Sequence, residues 1–197
     1  NCICGTLHNE TGSVRFGDEV VDGLSAHERT RRGLARSFQL PRPFAGLSLA
    51  ENVRIPILYA VNARPSDHLH GAAIDERCLE LLGMVGLAGK AQRWPRDLTQ
   101  VEMRKLELAR AMAADPKLLI ADEAMAGLSH AEVDEIIALL IRLNERGVTV
   151  IMIEHIMRAV MEFSQRLAVL VAGRKIADGS PKDVVRDPEV VRAYLGE

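Results

Sequence analysis

At 197 residues, 48% hydrophobic and 26% charged, the chain has the balance of a globular protein with enough apolar material for a sizeable core, which excludes a disordered chain. Its formal net charge of −2 argues against a nucleic-acid partner, since general binders of DNA or RNA carry a basic excess on one face. Apolar runs such as residues 136–141 and 148–153 are far shorter than the roughly 18 residues a bilayer span requires, so any membrane role is expected to come through a partner.

In chain order, residues 12–16 (GSVRF) read as a short strand. Ser25-Ala26-His27-Glu28 is a capping box that opens a basic helix, closed by Gly33. Residues 34–39 (LARSFQ) are extended and stop at Pro41 and Pro43. Residues 47–89 are mostly helical. Ser48 and Glu51 form a second capping box there, and Cys78, Leu79, Leu82 and Val85 form an apolar stripe. A further helix runs from Met103 to Ala114, with Met103, Leu106, Ala109 and Ala113 on one face, and Asp115-Pro116 ends it.

Strand and helix then alternate. Residues 117–121 are a strand, Ser129 caps the next helix, Gly147 ends it, and residues 148–153 and 167–172 are two more strands. Such near-continuous apolar strands, separated by helices, predict an α/β fold with a mostly parallel sheet covered on both faces. Ser180-Pro181 and Asp187-Pro188 start two more helices. Cys2, Cys4 and Cys78 are expected as free thiols, because residues two apart, such as Cys2 and Cys4, do not share a helix face and no second pair follows. The pair His68 and His70 lies in a polar loop and is not expected to bind a metal.

In open parallel sheets, ligands sit beyond the carboxyl ends of the strands. Asp122-Glu123 and Glu154-His155 both fall at such ends. An aspartate there is suited to Mg²⁺, which retains much of its water, and an adjacent carboxylate can orient or deprotonate an attacking water. Taken alone, the pair is equally compatible with capping the following turn.

The order of five motifs adds a family resemblance. RSFQ with Gln39, LTQVE (residues 98–102), KLLIADE, AGLS ending at Ser129, and IEH with His155 resemble in sequence the Q-loop, signature, Walker B strand, D-loop and switch histidine of the ATP-binding cassette (ABC) transporter ATPases. The resemblance implies a P-loop NTPase-like sheet flanked by helices, with an α/β core over 1–40 and 115–197 and an inserted helical sub-domain over 41–114. It implies that Asp122 and Gln39 act on Mg²⁺, that Glu123 is the general base and that His155 contacts the γ-phosphate of ATP. Thr99, Gln100, Val101 and Glu102, together with Ser129, would meet a nucleotide held by a second ATPase subunit, identical or not. The other implied partners are transmembrane permease subunits and, indirectly, a periplasmic or extracellular solute-binding protein, with the chain peripheral on the cytoplasmic face of the membrane. Segments 23–53 and 173–197 are similar to the branched-chain amino-acid importers of this family.

Two departures stand out. The family signature is LSGGQ, yet here Gln100 and Val101 replace both glycines, and Glu102 is expected to add negative charge near the phosphate. The P-loop pattern G-x-x-x-x-G-K-[ST] occurs nowhere in the 197 residues, so the chain is expected to be an N-terminally truncated piece of an ATPase and inactive by itself. A non-hydrolysing regulatory protein of the same fold, or a soluble cassette ATPase acting on ribosomes or DNA, are the alternative readings.

Overall fold

The computed structural model describes residues 1–38, 40–65 and 68–195. An antiparallel hairpin comes first, β1 (Arg15–Phe16) with β2 (Glu19–Val20), of which only the first strand is legible in the sequence. Helix α1 (Ala26–Arg31) starts at Ser25 as its capping box predicts; the Glu28 carboxylate accepts from the Ser25 N–H at 2.8 Å. From α1, the fully buried Arg29 donates to the carbonyls of Cys2, Ile3, Leu24 and Asp22 at 2.6–3.2 Å, which fastens the N-terminal turn to this helix.

Three parallel strands form the central sheet: β3 (Leu34–Ser37), β4 (Leu118–Asp122) and β5 (Thr149–Ile153), with β4 in the middle. Between β3 and β4 the chain builds helices α2 (Leu49–Pro56), α3 (Ala72–Met84) and α4 (Gln100–Met112), and α2 continues through a π-helical turn, Ile57–Val61. The buried face of α3 is Ile74, Cys78, Leu81 and Leu82, while Leu79 is exposed, so the expected stripe is rotated by part of a turn. Helix α4 begins three residues before Met103, because Thr99 and Glu102 form another capping box. Helix α5 (His130–Glu145) links β4 to β5.

Pleating sorts the sheet. Ala35, Leu119 and Ala121 enter the main core with Leu106 and Ala109 of α4 and Ile136, Leu140 and Leu143 of α5. On the opposite face, Leu34 and Ile120 cluster only with Cys4, edged by Phe16 and Leu118.

After α6 (Met157–Phe163), the predicted strand at 167–172 exists as β6 (Leu167–Val171), but it does not join the parallel sheet. It pairs antiparallel with β7 (Arg174–Gly179). Ala172 and Gly173, both at positive φ (47° and 78°), form the two-residue turn that folds the chain straight back, a geometry whose twist suits a hairpin. Helices α7 (Pro181–Val184) and α8 (Pro188–Leu195) close the chain. All three cysteines are free, and among the described residues no helix is long and apolar enough to cross a membrane.

Candidate functional site

The register of β4 against β5 sets the site. Asp122 is the Cα partner of Ile153, so Asp122-Glu123 and Glu154-His155 leave the sheet side by side at its carboxyl end. Adjacent strands lie about 4.8 Å apart, so the two pairs start from neighbouring positions at that end of the sheet.

Each group has its own surroundings. Asp122 Oδ2 accepts from the Arg36 guanidinium at 2.5 Å, with both side chains largely buried. Arg36 also donates to Asn1 Oδ1 at 2.7 Å. By the alternation of the strands, Arg36 and Asp122 share the face that carries Cys4. Glu123 sits at φ 46°, in the left-handed region that is uncommon for a residue with a side chain. Its N–H donates to the Ile153 carbonyl at 2.9 Å, and its own carbonyl accepts from Ala126 N–H at 3.2 Å. Glu154 turns the other way, its Oε1 accepting from Met125 N–H at 3.0 Å while Oε2 is buried without a hydrogen bond. Burial pushes the Glu154 carboxyl above the usual carboxylate range. His155 is exposed.

The signature segment forms the first turn of α4. The Thr99 hydroxyl accepts from Glu102 N–H at 3.3 Å, and the Glu102 carboxylate accepts from Thr99 N–H at 3.1 Å. Lys90 Nζ lies 2.6 Å from the other Glu102 oxygen and holds this carboxyl below its ordinary range. The Glu102 carboxylate is thus paired both with Lys90 and with its own helix start. Val101 packs against the main core. Gln100 reaches across to the turn after β4, its Nε2 donating to the Ala126 carbonyl at 3.4 Å. Gly127 (φ 78°) makes room for it, since a Cβ there would stand 2.7 Å from Gln100 Nε2. Ser129 caps α5, with its hydroxyl and N–H both donating to Glu132 at 2.7 and 2.8 Å.

Gln39 lies outside the described residues. Its neighbours are approached from α4, where the Glu107 side chain is buried. Arg110 pairs with Glu107, donates to the Arg42 carbonyl at 2.8 Å and lies over the Phe44 ring.

Arg36, Arg104 and Glu154 are the functional candidates that sequence reading misses as partners. Arg36 stands in the RSFQ stretch and shows no sign of its bond to a residue 86 positions away. Among the described residues no group of three or more His, Cys, Asp or Glu side chains converges as a metal cage.

A family model described as ABC transporter matches residues 1–126, and one described as branched-chain amino acid ATP-binding cassette transporter matches residues 174–197. Along its whole length the chain is 34% identical to the high-affinity branched-chain amino acid transport ATP-binding protein BraF of Pseudomonas aeruginosa, and the match spans 81% of that protein. The solved structure of a nucleotide-free ATP-binding cassette from an ABC transporter superposes with a TM-score of 0.86 at 26% identity, covering 100% of this chain and 82% of the other. The dimeric post-hydrolysis state of the cassette MJ0796, bound to ADP and Pi, gives a TM-score of 0.80 at 25% identity over 92% of this chain and 78% of that one.

Proposed function

The chain belongs to the ABC transporter family, and from that premise we propose that it is the ATP-hydrolysing subunit of an importer of branched-chain amino acids. The observation that carries the reading is the pairing of Asp122 with Ile153, from which an acid pair and an imidazole emerge at the carboxyl end of two neighbouring parallel strands. Similarity to BraF and the match over residues 174–197 support the choice of solute class.

Mg²⁺ fits this end of the sheet, because Asp122 already holds one cationic group, the Arg36 guanidinium, on a partly buried carboxylate. Asp122 would hold the ion through water, with Gln39 approaching it. When bound, Mg²⁺ supplies charge neutralisation at the β- and γ-phosphates. Glu123 orients the attacking water and takes its proton, and His155 contacts the γ-phosphate. Thr99, Gln100, Val101, Glu102 and Ser129 serve the nucleotide of a second cassette subunit, a role supported by the likeness to a dimeric cassette. The helical segment 41–114 docks on transmembrane permease subunits, with 1–40 and 115–197 forming the α/β core. The subunit is peripheral at the cytoplasmic membrane face, and a solute-binding protein outside feeds the permease.

The test is Glu123→Gln in a transporter assembled around a form of this subunit that also carries a P-loop. ATP turnover is expected to fall roughly 10² to 10⁴-fold, the size of a general-base contribution, with nucleotide still bound in a filter assay. Undiminished turnover overturns the assignment.

A further inference from the structure

Glu123 holds a backbone conformation that costs free energy, and such a residue persists only where its surroundings over-determine it. The surroundings are the turn Glu123–Gly127 and the groups that grip it. From β5, the Ile153 carbonyl accepts from Glu123 N–H and the Glu154 carboxylate accepts from Met125 N–H. Within the turn, Ala126 N–H donates to the Glu123 carbonyl, and Leu128 N–H to that of Met125. From α4, Arg104 Nη2 at 3.3 Å and Gln100 Nε2 at 3.4 Å both donate to the Ala126 carbonyl. Arg104 is 7% exposed and lies within electrostatic reach of Glu154 and Glu107, which offset the cost of burying its charge. Gly127 completes the arrangement by leaving the space that Gln100 crosses.

We propose that Arg104 and Glu154 are positioning residues: they clamp the Met125–Gly127 turn between α4 and the end of β5, and the clamped turn keeps Glu123 in its left-handed conformation. Gln100 is the auxiliary grip, a side chain that a glycine at this signature position could not provide. The start of α4 and the acid at the tip of β4 are thereby coupled within one subunit. The proposal rests on the reading of Glu123 as the base.

Amide hydrogen exchange on the chain itself tests it without nucleotide. In Arg104→Met the amides of Glu123, Met125, Ala126 and Leu128 exchange about 10-fold faster or more, as loss of a hydrogen bond from a charged group predicts, while those of α5 keep their protection. Glu154→Ala does the same at Met125, and Glu154→Gln, whose amide oxygen still accepts, restores protection to within about threefold of the parent. If Arg104→Met fails to fold, Gln100→Gly decides, with exchange at Ala126 and Leu128 rising about 2- to 5-fold for the loss of one neutral grip. Parental exchange at these amides in folded variants overturns the proposal. In the assembled transporter, Arg104→Met lowers kcat and leaves KM for ATP unchanged. An unchanged kcat beside a strongly impaired Glu123→Gln overturns the clamp and leaves the base assignment standing, whereas an unimpaired Glu123→Gln removes the assignment itself.

Discussion

The two faces of the central sheet are built to different standards. On one, Ala35, Leu119 and Ala121 meet α4 and α5 in a cluster whose members Leu106, Ile136, Leu140 and Leu143 have no exposed surface. On the other, Leu34 and Ile120 meet Cys4, and along β5 Ile151 and Ile153 remain 39% and 49% exposed. That second face also carries the Arg36–Asp122 pair. Within residues 1–197, close packing is therefore concentrated on the helix-covered face, and the Arg36–Asp122 pair lies on the other. A polar pair needs partners more than it needs close packing, and the division keeps the Arg36–Asp122 pair apart from the main core.

The comparison is sharpened first where the effect is largest. Ile136→Ala empties a site with no exposed surface on the packed face, and the expected loss is about 2–5 kcal/mol of unfolding free energy, the range for a buried large-to-small change that leaves a cavity. A urea titration measures it. The next largest effect belongs to the fastener of the other face. Arg29→Met keeps the apolar stem but strands the carbonyls of Cys2, Ile3, Asp22 and Leu24, at an expected cost of about 2–4 kcal/mol. Cys4, whose thiol burial pushes above its ordinary range, then becomes open to alkylation while Cys78 in the main core stays protected. Equal labelling of the two would show that Arg29 supports the whole molecule and not one face of it.

Much of this architecture is legible in the sequence because its signals are local. The boxes at Ser25/Glu28, Ser48/Glu51 and Ser129/Glu132 each start a helix where the spacing says, and the β-branched run before Glu154 is a strand. Thr99/Glu102 obeys the same rule and starts α4 at Gln100, a signal hidden when the stretch is compared only with the family signature. The β6–β7 hairpin was harder to read, since Ala172-Gly173 lacks the Asn or Asp that usually announces such a turn. Most of the site's partners were not legible at all. Arg36 with Asp122, Arg104 with Ala126 and Glu154 with Met125 are separated by 86, 22 and 29 positions, and only the packed fold brings them together.

The smallest expected effect gives the most discriminating test. Ile153 is the Cα partner of Asp122 and half exposed on the second face, so Ile153→Thr keeps the β-branch that suits a strand and removes little buried surface. Its effect on stability is expected to stay within about 0.5 kcal/mol, as for surface substitutions away from caps and cores. If that face were as closely packed as the one under α4 and α5, the new hydroxyl would be buried without a partner and the cost would exceed about 1.5 kcal/mol. Chemical denaturation of this single variant beside Ile136→Ala therefore measures the asymmetry directly, as the ratio of two losses from one sheet.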